Sequence, residues 1–336
     1  MWDFFIFSLM RKNILSVFFL SACSLFLSCG QSKDVSEKES GSENFSKEVR
    51  ISESEVAETL QYLASEELQG RNTGTEGIEK AAVFIEEVFR KNEIKPFFET
   101  YRDSFETKGT TGYNIVGFKE GTDPQLKDEF IIIGAHYDHI GQGETVGDDS
   151  LANGANDNAS GTTAVLELAK YFADVDTKRS ILFTLYSAEE MGLIGSSHLA
   201  KKLKNENIDL YVMFNIEMIG VPMEDKSYSA YLTGYELSNL AEKFNEYAGA
   251  EVVGFLPQAK EYSLFRRSDN YPFYQEFEIP AQTISTFDFT NYEYYHHVDD
   301  EFELMDTSHM TKLIEEVIPG IATMANTPTK EIKMND

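Results

Sequence analysis

Four apolar runs in this chain end in residues that can bind a metal or move a proton. Phe130-Ile-Ile-Ile-Gly-Ala135 ends in His136, Tyr137, Asp138 and His139. Arg179 to Tyr186 ends in Ser187-Ala-Glu189-Glu190, Leu210 to Ile216 ends in Glu217, and Ala281 to Phe287 leads to His296 and His297. A further acid, Asp157, sits in the glycine-bounded loop Gly154-Ala-Asn-Asp-Asn-Ala-Ser-Gly161. A His with an Asp two residues later reads as a metal ligand with an orienting carboxylate. Two His and several carboxylates at one edge of a sheet suit a pair of hard-to-borderline divalent ions, zinc first. A carboxylate shared by two such ions sets their spacing at about 3.5–4 Å, and the pair lowers the pKa of a bridging water and polarises a carbonyl. A second carboxylate, free of metal, must then take the water's proton and hand it to the leaving amine. Adjacent acids such as Glu189 and Glu190 can divide the duties of base and ligand, because neighbouring side chains point in different directions.

Each of these residues has an ordinary explanation when taken singly. Asp157 could cap a helix, Glu189 and Glu190 could be a solvated helix start, and His296 could be a turn residue. Glu217 is harder to dismiss. It follows Phe214-Asn-Ile216 and precedes Met218-Ile219, and a buried, unpaired carboxylate is costly.

The elements that must position these groups alternate. Apolar spacing predicts helices over Ser52–Ser65, Ile78–Asn92, Thr162–Phe172, Leu237–Tyr247 and Ser308–Ala325. Strands are expected at Phe97–Phe105, Tyr113–Phe118, Phe130–Ala135, Arg179–Tyr186, Leu210–Ile216, Tyr228–Thr233 and Ala281–Phe287, and a loop over Gly141–Asn153. Continuous apolar runs imply strands buried on both faces, so the expected fold class is α/β, a mostly parallel mixed sheet with helices on both faces. Ligand sites in such sheets gather beyond the carboxyl ends of the strands. The glycine-punctuated segment Leu68-Gln-Gly-Arg-Asn-Thr-Gly-Thr-Glu-Gly77 is no phosphate loop: it lacks a Gly-Lys-Ser/Thr ending and no strand precedes it.

The 336 residues are 42% hydrophobic, enough for a sizeable core. A net charge of -28 repels phosphate backbones, so nucleic acid is not expected as a partner. Both cysteines, Cys23 and Cys29, lie near the N-terminus, leaving the body without a disulfide or a Cys-ligated metal. Any transition metal falls to His, Asp and Glu, and only six His exist.

Arg11 and Lys12 precede the apolar run Ile14–Leu27, which is short for a membrane span and fits a secretory signal. Met10 makes a more natural start for such a signal than Met1, because Asp3 is out of place in its basic region. The run ends as a bacterial lipoprotein processing site does. Cys23 fits the local pattern, but Cys29 stands where the composition turns polar and is the expected lipidated residue. The organisation read from the chain is a lipoprotein signal over 1–29, a polar tether over 30–50 and a catalytic body over 51–336. The expected location is the cell envelope, facing the periplasm or the cell surface, with the lipid anchor as the membrane contact.

Taken together, Leu68-Gln-Gly-Arg71 with Gly74 and Gly77, Gly134-Ala-His-Tyr-Asp138, Asn156–Gly161, Ser187-Ala-Glu-Glu-Met-Gly192, Asn215-Ile-Glu-Met-Ile-Gly220, Ser268-Asp-Asn-Tyr-Pro-Phe273 and Tyr295-His-His-Val-Asp-Asp300 resemble the co-catalytic zinc aminopeptidases. That family also contains glutamate carboxypeptidase and glutaminyl cyclases. The resemblance covers Leu63 to the C-terminal helix and implies two divalent metal ions, zinc above others, and a peptide substrate with a free N-terminus. It implies that His136 binds one metal and Asp138 orients it, that Asp157 bridges both, that Glu189 is the general base, and that Glu190, Glu217 and His296 complete the ligands. His297 is the weaker of the last pair, and His139, His198 and His309 match no ligand position. Asp269, Tyr271 and Phe273 are expected to line the substrate pocket. One residue departs from the pattern: the family usually has Asp where this chain has Glu217, whose side chain reaches one methylene further. Phe105 to Phe130 leaves no room for the protease-associated domain some relatives insert there, so a single domain is expected. The implied activity is aminopeptidase. A single-zinc glutaminyl cyclase and a non-catalytic peptide-binding lipoprotein are the competing readings.

Overall fold

The apolar runs pair into one nine-stranded mixed sheet. The computed structural model describes residues 50–336, which belong to the unit Phe45–Asp336; the signal, Cys29 and the tether up to residue 49 lie outside the described residues. Across the sheet the strands run Lys95–Pro96, Thr110–Lys119, Ser180–Tyr186, Glu129–His136, Asp209–Ile216, Ala281–Ser285, Ala230–Leu232 and Val253–Gly254, with Arg102–Thr107 also pairing onto Thr110–Lys119. The strands from Ser180–Tyr186 through Ala281–Ser285 are parallel, with His136 level with Tyr186 and Gly134 level with Asn215. Their carboxyl ends therefore share one edge. Antiparallel pairs flank this parallel centre on both sides.

Alternate residues of the central strands feed two cores. Ile131, Ile133 and Ala135 join one apolar cluster with the helices Glu53–Leu63, Glu76–Lys91, Gly161–Ala173 and Thr307–Asn326. Ile132 joins the other, with Leu199 and Leu203 of helix Ile194–Asn205 and Phe273 of helix Asn270–Phe277. Both faces are thus covered, as a sheet of unbroken apolar strands requires. Among the described residues no helix is long and apolar enough to cross a membrane.

Two expectations change. The loop over Gly141–Asn153 is a two-stranded hairpin, Gly141–Val146 with Asp149–Ala152. The strand expected over Phe97–Phe105 breaks: Arg102–Thr107 is strand, while residues 97–101 bend, holding Phe97 edge-on to Phe118 and Phe130 at 5.6 and 5.9 Å.

Candidate active site

The site forms where the four parallel strands end. His136 closes its strand, Glu189 and Glu190 follow the next, and Glu217 is the first residue beyond Asp209–Ile216. Three turns here hold non-glycine residues in the left-handed region: Ala188 (φ 56), Met218 (φ 50) and His296 (φ 57). Each lies at or beside a site residue, where strained backbone often collects.

Asp157 occupies the middle. His136 Nε2 stands 3.4 Å from Asp157 Oδ1 and 3.4 Å from Glu217 Oε1. His296 Nε2 stands 3.2 Å from the other oxygen, Asp157 Oδ2, and 3.1 Å from Glu190 Oε2. The two imidazoles thus approach different oxygens of one carboxylate, each with a second acid of its own. The Asp157–Asn158 peptide is cis.

The donor set fits a metal. The Nδ1 of His136 lies 3.1 Å from the main-chain carbonyl of Asp138, which can only accept, so Nδ1 carries the proton. Nε2 is buried and has no hydrogen-bond partner. Facing two carboxylate oxygens, Nε2 must either carry a proton or share a cation with them, and a divalent ion can take that proton's place. The surplus of negative charge also shows in the acid–base behaviour. Burial pulls His136 down, but Glu189, Asp157 and Glu217 outweigh it and raise it well above its ordinary value. Burial likewise opposes His296, and Asp157 and Glu190 push it up to about 10. Conversely, burial would raise Asp157, yet His136 and His296 hold it below the usual carboxylate range.

Glu189 behaves differently from its neighbour. Burial raises it well above the ordinary value; His136 opposes this, while Asp269 and Glu217 add to it. Glu190 is lowered on balance: burial and Asp157 push it up, and His139 and His296 outweigh them. A carboxylate with raised proton affinity that is not engaged by a histidine in the way Glu190 is suits a general base.

Asp138 holds His136 through its carbonyl. Its carboxylate is 3.7 Å from Nδ1 and instead accepts from the Glu189 N–H at 3.2 Å and from the Thr73 hydroxyl at 3.3 Å. The orienting role expected of the side chain thus belongs to the main chain here.

His139 was not expected at the site, and it is there. Its Nδ1 is 3.0 Å from Glu190 Oε1 and 3.8 Å from Asp157 Oδ2, and donor atoms of His139, Asp157 and Glu190 all lie within 4.8 Å of one another. Its place at the end of the His136 strand was the only available signal. His297 turns to Asp299, accepting that residue's N–H at 3.1 Å.

A buried polar frame sets these positions. Asp300 accepts the N–H groups of Asn156 at 2.8 Å and Asp157 at 3.0 Å. Asn158 Oδ1 accepts from Met218 N–H at 3.0 Å, and its amide donates to the Ile216 carbonyl at 3.1 Å, clamping the backbone on both sides of Glu217. Arg71, fully buried, donates to the carbonyls of Tyr137 (2.9 Å), Asn153 (2.6 Å) and Gly154 (2.9 Å), and to that of Leu63. The glycine-punctuated loop therefore delivers an arginine that ties the segment after His136 to the loop that carries Asp157. Gly154 has φ 61, and a Cβ there would collide with the Asp157 carbonyl and the His139 ring.

A cleft opens beside Glu217, walled by Met218, Tyr231, Phe287, Phe289 and Tyr295, with Arg267 at it. Its lining does not include Asp269, Tyr271 or Phe273. Phe273 is core, fully buried with its ring 5.8 Å from that of Tyr186. Tyr271 packs against Phe265 at 5.8 Å, under the guanidinium of Arg266. Asp269 is buried behind the site with neither carboxylate oxygen hydrogen-bonded, and burial raises it to about 7. The flanking Ser268 and Asn270 serve as anchors, Ser268 accepting from Asn215 at 2.9 Å and Asn270 donating to the Ala281 carbonyl at 3.1 Å.

The family model of Peptidase family M28 matches residues 114–319, more than half of the chain. The chain belongs to this family. Within it, Aminopeptidase YwaD of Bacillus subtilis is 32% identical over 166 residues, 49% of this chain and 34% of that relative. Leupeptin-inactivating enzyme 1 of Streptomyces exfoliatus is 32% identical over 179 residues, 52% of this chain and 36% of that relative. The chain thus spans about a third of the length of these curated relatives. Among solved structures, a zinc aminopeptidase from Bacillus subtilis superposes with a TM-score of 0.67 at 17% identity, covering 84% of this chain and 98% of that one. A glutaminyl cyclase of Fimbriiglobus ruber superposes with 0.65 at 18% identity, covering 83% and 97%. These likenesses share the α/β fold of the family.

Proposed function

We propose that this chain is an exported, lipid-anchored, metal-dependent aminopeptidase that removes N-terminal residues from peptides. The observation that carries the reading is the Asp157 carboxylate, with His136 and Glu217 at one oxygen and His296 and Glu190 at the other. The residues that would hold two divalent ions, zinc above others, are His136, Asp157 and Glu217 on one side and His296, Asp157 and Glu190 on the other. His139 stands beside the second group. Bound there, the ions supply Lewis acidity toward the scissile carbonyl and toward the attacking water.

The chain's own residues do the rest. Glu189 takes one proton from the water as its oxygen adds to the carbonyl carbon. It returns that proton to the departing amine nitrogen as the C–N bond breaks, so the carboxylate is regenerated. Glu217, partly open to the cleft, faces the cationic N-terminus of the substrate. Export and anchoring rest on Arg11, Lys12, the apolar run Ile14–Leu27 and Cys29.

The test pairs two peptides that differ only in N-terminal acetylation, given to zinc-loaded protein. Cleavage of the free peptide alone is expected. Equal cleavage of both, or cleavage inside the chain, refutes the exopeptidase reading.

A further inference from the structure

The cleft beside Glu217 holds an unmatched cation. Arg267 is exposed, lines the cleft, and has no carboxylate within 4.0 Å among the described residues. Acidic residues number 57 against 29 basic ones, and three of the described arginines are ion-paired. Arg90 pairs with Glu86, Arg102 with Glu79 and Glu86, and Arg179 with Glu129. A cation left unpaired amid such an excess of acid, and placed at a cleft, is positioned to meet charge brought by a ligand.

The rest of the cleft says where that charge comes from. At its inner end lies Glu217, beside His136 and the reacting centre. With a substrate's ammonium placed at Glu217, its first side chain meets the walls made by Tyr231, Phe287, Phe289 and Tyr295. These walls are firm. Tyr295 stacks on His296 at 4.0 Å and on Phe287 at 5.5 Å, and the Tyr231 hydroxyl donates to the Phe287 carbonyl at 2.8 Å. Aromatic faces accept the methylenes of an extended side chain, and Arg267 offers a planar fork suited to a terminal carboxylate.

We propose that this cleft selects peptides whose N-terminal residue carries a carboxylate, Glu or Asp, with Arg267 as the specificity-determining residue. This rests on the aminopeptidase reading and deepens it. The cleft then reads a zwitterionic pattern: Glu217 takes the amine and Arg267 the side-chain acid.

The test measures kcat/KM of the full, zinc-loaded chain on the p-nitroanilides of Glu, Asp, Gln and Leu. None of these substrates has a C-terminal carboxylate, so only the side chain can supply one. Glu over Gln is expected to be favoured about three- to tenfold, because the pair is partly exposed. The ratio should fall toward one at 1 M salt, where screening reaches within about 3 Å. Arg267→Met should bring the Glu/Gln ratio to about one, and Arg267→Glu should invert it. Gln cleaved as well as Glu by the unaltered chain, or a preference for Glu that survives Arg267→Met, overturns the proposal. Hydrolysis of none of the four would count against the aminopeptidase reading instead. Calorimetric binding of free L-glutamate against L-glutamine then decides this proposal independently. Tighter glutamate binding that Arg267→Met abolishes supports it, and equal binding overturns it.

Discussion

The main-chain N–H of Glu189 donates to Asp138 Oδ1 at 3.2 Å. The same Asp138 holds the His136 ring through its carbonyl at 3.1 Å. One residue therefore positions both the imidazole proposed to bind metal and the turn that carries Glu189, the proposed base. Removing the negative charge in Asp138→Asn should lower activity or zinc affinity about 10–100-fold, as loss of such outer contacts does. Zinc titration and steady-state rates on one preparation would show it; unchanged values for both would remove Asp138 from the account.

Glu189→Gln separates base from ligand. The amide retains the shape of the side chain but cannot accept a proton, so kcat should fall about 10²–10⁴-fold. Metal content by atomic absorption and the unfolding midpoint should stay at the wild-type level. A variant that turns over normally would show that Glu189 is not the base.

Glu217 bears on how many ions bind. It completes the set at one oxygen of Asp157, so Glu217→Ala should lose one of two bound metals while the His296–Glu190 side keeps its own. Glu217→Asp should keep both. Metal-to-protein ratios after dialysis would report this, and a ratio of one in the unaltered chain would set the two-ion reading aside.

Arg71 is expected to matter for stability as much as for chemistry. Its guanidinium donates to four buried carbonyls, and Arg71→Met removes those donors, leaving that of Gly154 only the Ala159 N–H. Orphaned buried polar groups cost about 1–3 kcal/mol each before relaxation, so a loss of at least about 3 kcal/mol is expected in urea unfolding. A smaller change would mean that water replaces the arginine.

Much of this arrangement was legible in the sequence. The parallel centre announced itself because its strands are buried on both faces and read as unbroken apolar runs, each ending abruptly in polar residues. The hairpin Gly141–Ala152 did not, since most of its residues are exposed and no apolar alternation marks the pairing. The helix Ile194–Asn205 was equally silent; its Lys-rich stretch conceals the few buried positions, Leu199, Ala200 and Leu203 among them. His139 could be read only as a neighbour of His136, because its approach to Glu190 depends on the turn after the strand and on the Asp157 loop. Phe273 was expected in the pocket and lies in the core because helix Asn270–Phe277 turns it toward Tyr186.

Glu301 should make stability depend on pH. Burial raises its carboxyl from the ordinary 4.5 to about 7, Glu66, Glu303 and Asp149 add to this, and the Asn153 amide opposes it. The folded chain then holds this proton to higher pH than the unfolded chain does. Between about 4.5 and about 7 the folded state binds more protons, so stability declines as pH rises through that window, and the loss is complete above it. Glu301→Gln keeps an acceptor for Asn153 without the charge. Relative to wild type it should melt higher at pH 8 and alike at pH 4; a variant that melts lower at pH 8 would contradict this assignment.

The most direct measurement gives the protein from residue 31 onward, with added zinc, a mixed peptide library and reads the products by mass spectrometry, with and without chelator. Loss of single N-terminal residues, abolished by chelator, is the result expected here. Loss of ammonia confined to peptides that begin with Gln, or no change with metal bound, would contradict it.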